Sequence, residues 1–185
     1  YTGTLFYGGL IAASYTIGVK DTNGCTFATT VTLTDIPGPT AIASTVVNSN
    51  CCGSNGSITI TGVTGGVSPY TYSFNGSAYT GTVNYPGLVA ASYTVIVKDA
   101  NGCMFTASIP VLDNPGPTAL ATFPINSNCG AADGSFSIGT VTGGMAAYTY
   151  NVNGGAFTGT TTYSGLVAGS YIVIVKDANG CTFTK

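Results

Sequence analysis

The sequence predicts an all-β chain built from tandem antiparallel β-sandwich modules. Three observations support this prediction: residues typical of strands and turns dominate the composition, apolar and polar residues alternate in short runs, and the chain repeats itself with a period of 78 residues. Thr, Val, Ile and Tyr favour strands, while 27 Gly and 8 Pro provide frequent turns. With 44% hydrophobic residues the chain is apolar enough to form folded cores.

The residue types that are missing exclude most enzyme chemistry. The chain has no Glu, Gln, Arg, His or Trp, and its only charged residues are four Lys and six Asp. Ser/His/Asp and Cys/His nucleophile systems, paired-Glu chemistry and His-ligated metals are therefore excluded. We expect no enzyme activity, no catalytic residue, no cofactor and no metal site.

The same composition excludes two classes of partner. Four positive charges without Arg cannot neutralise a row of phosphates, so we expect no nucleic-acid binding and no docking to an anionic membrane. Ser, Thr or Lys interrupts every apolar run before it reaches the length of a membrane span, so we expect no membrane insertion.

The repeat organises the whole chain. The segment YTGTLFYGGLIAASYTIGVKDTNGCTF at 1–27 returns at 79–105 and again at 157–183 without a gap. The other half of the unit, which begins Asn-Ser-Asn-Cys at 48, returns at 126. Neither end coincides with the period, and Tyr1 lies inside a repeat, so we expect the sequence to be part of a longer array.

The period predicts three units separated by two proline-rich joints. They are a first segment at 1–38 that is the C-terminal part of a repeat, a complete second module at 41–112, and a third module at 119–185 that lacks its last strand. The joints, Asp-Ile-Pro-Gly-Pro-Thr at 35–40 and Asp-Asn-Pro-Gly-Pro-Thr at 113–118, are called the first and second joint below. Two prolines in each joint limit hinge motion, so we expect an extended rod.

Each complete module is expected to contain about seven strands. Ile58 and Ile60 alternate with polar residues, and similar alternation surrounds Tyr72 and Tyr93. Gly65-Gly66, Asn75-Gly76 and Asn101-Gly102 separate such runs, and they predict tight turns between antiparallel neighbours. The Asp at positions 21, 99 and 177 is interpreted as part of such a turn, where it caps backbone amides, rather than as part of a calcium loop.

One tyrosine pattern indicates the type of sandwich. Tyr15, Tyr93 and Tyr171 each begin a strand five residues after a Leu. This spacing is typical of the tyrosine corner of immunoglobulin-like sandwiches. We therefore expect the modules to be immunoglobulin-like.

Six cysteines predict a disulfide framework and an oxidising, extracellular location. The simplest pairing lies within a module, Cys51 to Cys103 and Cys129 to Cys181, because a small core gains most from its own crosslink. The competing pairing joins Cys103 to Cys129 across the second joint. Cys25 has no upstream partner in this sequence.

Cys52 interrupts the periodicity, because Gly130 stands at the corresponding position of the third module. Cys25 and Cys52 are therefore candidates for a bond with each other, or for inter-module or inter-chain crosslinks. The alternative for Cys52 is a thiol without a role.

The surface has few charges to keep copies of the chain apart. Charged residues are only 5% of the sequence, and this favours self-association, or contact with surface glycans or abiotic surfaces. Exposed tyrosines would suit a carbohydrate-binding module, which is the alternative function. Tyr72 and Tyr93, however, alternate with polar residues as core positions do.

The ordered motifs resemble a known family. They are Cys-x-x-x-(Asn/Asp)-Gly-Ser-(Ile/Phe), Thr-Gly-Gly before Tyr-Thr-Tyr, Gly-Leu-x-Ala-(Ala/Gly)-Ser-Tyr, and Val-Lys-Asp-x-Asn-Gly-Cys. Together they resemble the SprB-type repeats of large Bacteroidota surface adhesins, including gliding-motility adhesins, over essentially the whole chain. The resemblance implies cell-surface display, type IX secretion, and a structural or adhesive role in long filaments.

Overall fold

The computed structural model describes residues 2–185, and every regular element in that range is a β-strand. Tyr1, the first residue of the first repeat segment, lies outside the described residues. The first segment contains β1 (Ala13–Lys20) and β2 (Thr26–Leu33). The second module contains β3 (Pro39–Val47), β4 (Ser49–Asn50), β5 (Gly56–Gly65), β6 (Thr71–Phe74), β7 (Asn84–Leu88), β8 (Ala91–Lys98) and β9 (Met104–Val111). The second joint contains β10 (Asp113–Asn114), and the third module follows with β11 (Pro117–Ile125), β12 (Gly134–Gly143), β13 (Thr149–Val152), β14 (Thr162–Leu166), β15 (Val173–Lys176) and β16 (Thr182–Thr184).

The second module is a sandwich of two antiparallel sheets. One sheet has the order β3-β5-β7 and the other the order β6-β8-β9. Alternate residues of these strands point inward because successive side chains of a strand face opposite sides of the sheet. The buried core consists of Ile58, Ile60, Tyr72, Leu88, Tyr93, Val95, Val97, Ile109 and Val111.

The third module repeats this architecture with the sheets β11-β12-β14 and β13-β15-β16. Its strands β11 to β14 have the same lengths as their counterparts one period earlier. Its core consists of Leu120, Phe136, Ile138, Tyr150, Val173 and Val175. The sequence predicts that this module lacks its last strand, whereas residues 182–184 form β16 and pair with β15. The prediction of an all-β chain of antiparallel sandwich modules is confirmed.

The first segment is a hairpin without a core. Strands β1 and β2 pair antiparallel along their full length, from Ala13 opposite Leu33 to Lys20 opposite Thr26. Within the described residues neither strand pairs with any other, and most side chains are exposed on both faces. The counterparts of β1 and β2 one period later, β8 and β9, contribute Val95, Val97 and Ile109 to the core of the second module.

The predicted turns form, but they connect the strands differently from the prediction. Gly65, Gly66, Asn75, Gly76 and Gly102 all have positive φ. Only the turn at Asn101-Gly102 joins two paired strands, β8 and β9. The chain crosses from one sheet to the other after β5 and again after β6, because β6 pairs with β8 rather than with its sequence neighbours. Turn chemistry thus marks where strands end but not which strands pair.

Candidate functional site

The second joint is hydrogen-bonded to the second module rather than being a free linker. Strand β4 pairs with β10 in parallel, so that Ser49 lies opposite Asp113 and Asn50 opposite Asn114. The backbone amide of Ser49 donates to the carbonyl of Leu112 at 2.9 Å, and the amide of Cys51 donates to the carbonyl of Asn114 at 3.1 Å. The joint therefore leaves the module in a fixed direction.

Side chains fix the same contact. Ser49 is fully buried, and its hydroxyl lies 3.0 Å from Oδ1 of Asp113. The side-chain amide of Asn114 donates to Oδ1 of Asn50 at 2.8 Å. Polar groups on both sides of the joint thus satisfy one another, and Ser49 is the buried member of the set.

A disulfide crosses this joint. Cys51 follows β4 with a φ of 58°, and its sulfur is bonded to that of Cys181 in the third module, with the two Cα atoms 5.3 Å apart. The glycine of Pro-Gly-Pro lies against this bond, because a Cβ at Gly116 would be 2.6 Å from Cβ of Cys181. The close approach of Cys181 to the second joint therefore leaves no room for a side chain at Gly116.

The predicted pairing within modules is wrong. Cys51 is bonded to Cys181 rather than to Cys103, and Cys103 and Cys129 have free thiols. Cys51 lies beside the outgoing joint at Asn114, whereas Cys103 lies beside the incoming joint, where a Cβ at Gly38 would be 2.5 Å from its own. The two cysteines of a module are therefore at opposite ends of the sandwich, and a disulfide requires Cα atoms within about 7 Å.

The other predicted pairings are also absent. The alternative bond from Cys103 to Cys129 does not form, although the joint it would cross is the one that carries the disulfide. Cys25 and Cys52 are free and exposed, and they are not bonded to each other.

Cys52 interacts with the joint through Asp113. Its backbone amide donates to Oδ1 of Asp113 at 3.0 Å, and its thiol donates to Oδ2 at 3.2 Å. This hydrogen bond and the carboxylate charge raise the pKa of the Cys52 thiol. The hydrogen bond from the thiol also lowers the pKa of Asp113, supported by bonds from the Cys52 amide and the Ser49 hydroxyl.

The turn that Asp177 caps positions Cys181, the cysteine of the third module that is bonded to Cys51. Oδ1 of Asp177 accepts from the backbone amides of Asn179 at 3.0 Å and Cys181 at 2.8 Å, and its Oδ2 accepts from Met145 at 3.0 Å. Asp99 makes the same three contacts in the second module. The interpretation of this motif as a capped turn is confirmed. Residues 2–185 contain no cluster of three or more His, Cys, Asp or Glu that could hold a metal.

The three candidate corner tyrosines make one recurring hydrogen bond. The hydroxyls of Tyr15, Tyr93 and Tyr171 each donate to the carbonyl four residues upstream, at Ile11, Val89 and Val167, over 2.9 to 3.0 Å. Tyr72 and Tyr93 are buried in the core, so neither presents a ring face to a sugar.

The sequence contained a signal for the inter-module disulfide. Cysteines recur after Asn-Ser-Asn, and Pro-Gly-Pro recurs at each joint, both with the period of the repeat. This shared period places one such cysteine and one joint in each repeat, although it does not show that the two are in contact. The parallel pairing of β4 with β10 has no such signal, because two-residue strands carry no periodicity.

The comparisons with known proteins find one family that part of each module resembles. The family model of the SprB repeat matches residues 43–78 and 122–157, one match in each complete sandwich. No curated protein matches the chain. No helix in the described residues is long and apolar enough to cross a membrane. The second and third modules therefore each contain a stretch that is similar to the SprB repeat.

Proposed function

We propose that this chain is a structural, non-catalytic segment of a repetitive extracellular filament or adhesin, and that its function is to carry tension between modules. Its location would be the bacterial cell surface, as the SprB repeats suggest. A disulfide supports an oxidising compartment of this kind. Immunoglobulin-like modules arranged as a rod would suit the role.

The observation that supports the proposal is the disulfide between Cys51 and Cys181, because it determines which residues carry tension. The inter-module disulfide encloses most of both sandwiches, because its cysteines are 130 residues apart. Tension on the two ends passes through the first 51 residues, the disulfide and the last few residues. Residues 52–180 are thus shielded from extension as long as the bond is intact, whereas β3, β4 and β16 lie in the path of the force.

The surface supports a structural role with copies of the chain as partners. Large apolar side chains such as Phe27, Phe123 and Ile125 are more than 60% exposed, and charges are few. Surfaces of this kind favour lateral or end-to-end contact over recognition of a charged ligand. Glycans and abiotic surfaces remain proposed adhesive targets on the same grounds.

Single-molecule pulling tests the proposal. When the oxidised chain is stretched through tags at its ends, we expect no extension of residues 52–180, whereas the first segment and β3 can extend. After reduction, the 130-residue separation should be released at about 3.6 Å per residue, which adds roughly 470 Å of contour length.

A Cys103→Ser variant is the matched control, since Cys103 is free and its loss should leave the oxidised trace unchanged. Equal contour lengths before and after reduction would show that the modules are not shielded, and the proposed mechanical role would fail.

A further inference from the structure

We propose that the contact between residues 48–52 and residues 112–114, called the clamp below, carries tension across the second module independently of the disulfide. The clamp would keep strands β5 to β9 folded under force after the bond between Cys51 and Cys181 has been reduced. The proposal rests on the mechanical function proposed above and adds a non-covalent element to it.

The clamp closes a loop around the core strands of the second module. One side of the clamp precedes β5 and the other side follows β9, so residues 53–111 lie between the two sides. In the reduced chain, tension that enters at one end can cross directly from one side of the clamp to the other. Strands β5 to β9 then carry no tension as long as the clamp is intact, whereas β3 lies outside the loop and can extend first.

The parallel arrangement of β4 and β10 determines how force acts on the clamp. Tension pulls β4 from its N-terminal end and β10 from its C-terminal end. Because the two strands are parallel, these forces slide one strand along the other. Sliding loads the inter-strand hydrogen bonds together, whereas pulling a hairpin from its open end breaks them one at a time. The clamp is therefore oriented to resist extension of the chain.

Backbone amides on both sides of the clamp donate across it. The amide of Ser49 donates to the carbonyl of Leu112 at 2.9 Å, and the amide of Cys51 donates to a carbonyl two residues further on, at 3.1 Å. In the opposite direction, the amide of Leu112 donates to Oδ1 of Asn48 at 3.2 Å. The bonds are therefore spread along the clamp rather than concentrated at one end.

Asp113 lies at the centre of the clamp and strengthens it. Its Oδ1 lies 3.0 Å from both the Ser49 hydroxyl and the Cys52 amide, and its Oδ2 accepts from the Cys52 thiol at 3.2 Å. Hydrogen bonds to an ionised acceptor are roughly twice as strong as bonds between neutral groups. The side chains of Asn114 and Asn50 add a bond of 2.8 Å between the two sides.

The core of the second module supports the clamp from below. Ser49 is fully buried, and Val111, which directly precedes the outgoing side, is 2% exposed. Both chain segments that lead into the clamp pack against the start of β5, because a Cβ at Gly56 would lie 2.8 Å from Cγ1 of Val111 and 3.1 Å from the carbonyl oxygen of Val47. The clamp is therefore fixed to the sandwich rather than lying on a loose loop.

The disulfide and the clamp protect different parts of the chain in succession. In the oxidised chain, tension leaves the backbone at Cys51 and re-enters it at Cys181, so β10 carries none. Reduction removes this path, and tension then reaches β10 and loads the clamp. Residues 53–111 should therefore stay folded after reduction until the clamp breaks.

The test pulls the full chain at constant force in a reducing buffer, through handles at its two ends. An insertion of about 20 Gly and Ser residues after Gly81, in the exposed loop between β6 and β7, marks the second module. Its unfolding step becomes roughly 70 Å longer at about 3.6 Å per residue, and this length distinguishes it from the step of the third module.

Asp113→Ala should raise the unfolding rate of the marked module about tenfold or more at a given force, because it removes charge-assisted bonds that sliding must break. Asp133→Ala is the matched control. Asp133 accepts from the backbone and side-chain amides of Asn128, both at 2.8 Å, but it lies in the third module. Its loss should leave the rate of the marked step unchanged.

A second pulling geometry separates a mechanical role from a general effect on stability. With one handle moved from the C-terminal end to the insertion after Gly81, tension enters β5 without crossing the clamp. The clamp is then still formed at the unfolding barrier, so Asp113→Ala should change the unfolding rate by less than about twofold. Asn114→Ala, which removes only the side-chain bond to Asn50, is a milder variant and should show the same contrast between the two geometries.

Three results would overturn the proposal. Asp113→Ala and Asn114→Ala could leave the marked step unchanged when the chain is pulled through its ends, or they could accelerate it equally in both geometries. A reduced chain without substitutions in the clamp could also give no marked step, which would mean that the clamp bears no load. None of these results concerns the disulfide, whose role is tested by comparing the oxidised with the reduced chain.

Discussion

Asp113 connects the second module to the joint through three hydrogen-bond donors. They are the Ser49 hydroxyl and the amide and thiol of Cys52. Because these bonds lower the pKa of Asp113, its carboxylate favours the folded joint above the unfolded pKa of about 3.8. This contribution is lost as the pH falls through the lowered value. Cys52 thus has a role despite having no counterpart in the third module.

The same pair predicts the reactivity of Cys52. The hydrogen bond to Asp113 raises the thiol pKa above its usual value of about 9.0, so the folded chain keeps the thiol protonated as the pH rises toward that value. An Asp113→Asn change removes the charge and should speed alkylation of Cys52 by iodoacetamide at about pH 8.5, since the thiolate is the nucleophile. Mass spectrometry of the labelled peptides gives the rate.

Cys25 in the same samples is the internal control, because it is also exposed but lies in the first segment. An equal acceleration of both cysteines, or none at Cys52, would mean that Asp113 does not hold the thiol.

At the scale of elements, the joint glycine is a structural requirement. Gly116 has no positive φ, so its role is to leave room for Cys181 rather than to adopt an unusual backbone. The Pro-Gly-Pro motif predicts a joint with restricted motion, but the strands extend into it, because β3 and β11 begin at Pro39 and Pro117. The packing of the glycine against a distant cysteine is a tertiary contact, which local sequence does not show.

A Gly116→Ala change should therefore weaken the joint. The added methyl group would lie 2.6 Å from Cβ of Cys181, so the backbone must shift and the disulfide should form less completely. We expect the fraction with Cys51 bonded to Cys181 after refolding in a glutathione buffer to fall several-fold, as measured by mass mapping.

Gly62→Ala in β5 is the matched control, because its added methyl would meet only Ala43 at 4.0 Å. If both variants refold with the same disulfide yield, the close approach at Gly116 is not what limits the bond.

The alternating residues of single strands predicted the cores well. Ile58, Ile60 and Val95 are buried as their periodicity indicates. The order of strands in the sheets was not accessible in the same way, because every strand has one apolar face and pairs equally well with several others. The cysteine pairing was missed because the bond within a module was preferred, and the inter-module alternative joined Cys103 to Cys129, whereas the bonded cysteines are Cys51 and Cys181.

At the scale of the whole molecule, the inter-module disulfide and the disulfides that the sequence predicts within modules imply different effects of cysteine substitutions on stability. A bond that closes the 130-residue separation should stabilise the folded chain by about 5 kcal/mol in the chain-entropy model. Cys181→Ser should therefore lower the free energy of unfolding by about that amount, and Cys51→Ser should do the same, in urea denaturation of the oxidised monomer followed by circular dichroism.

The free cysteines give the contrast that makes this prediction specific. Cys103→Ser and Cys129→Ser should leave the urea midpoint of the monomer unchanged, because neither thiol is bonded within one copy. Bonds within modules would instead make Cys103→Ser as destabilising as Cys51→Ser.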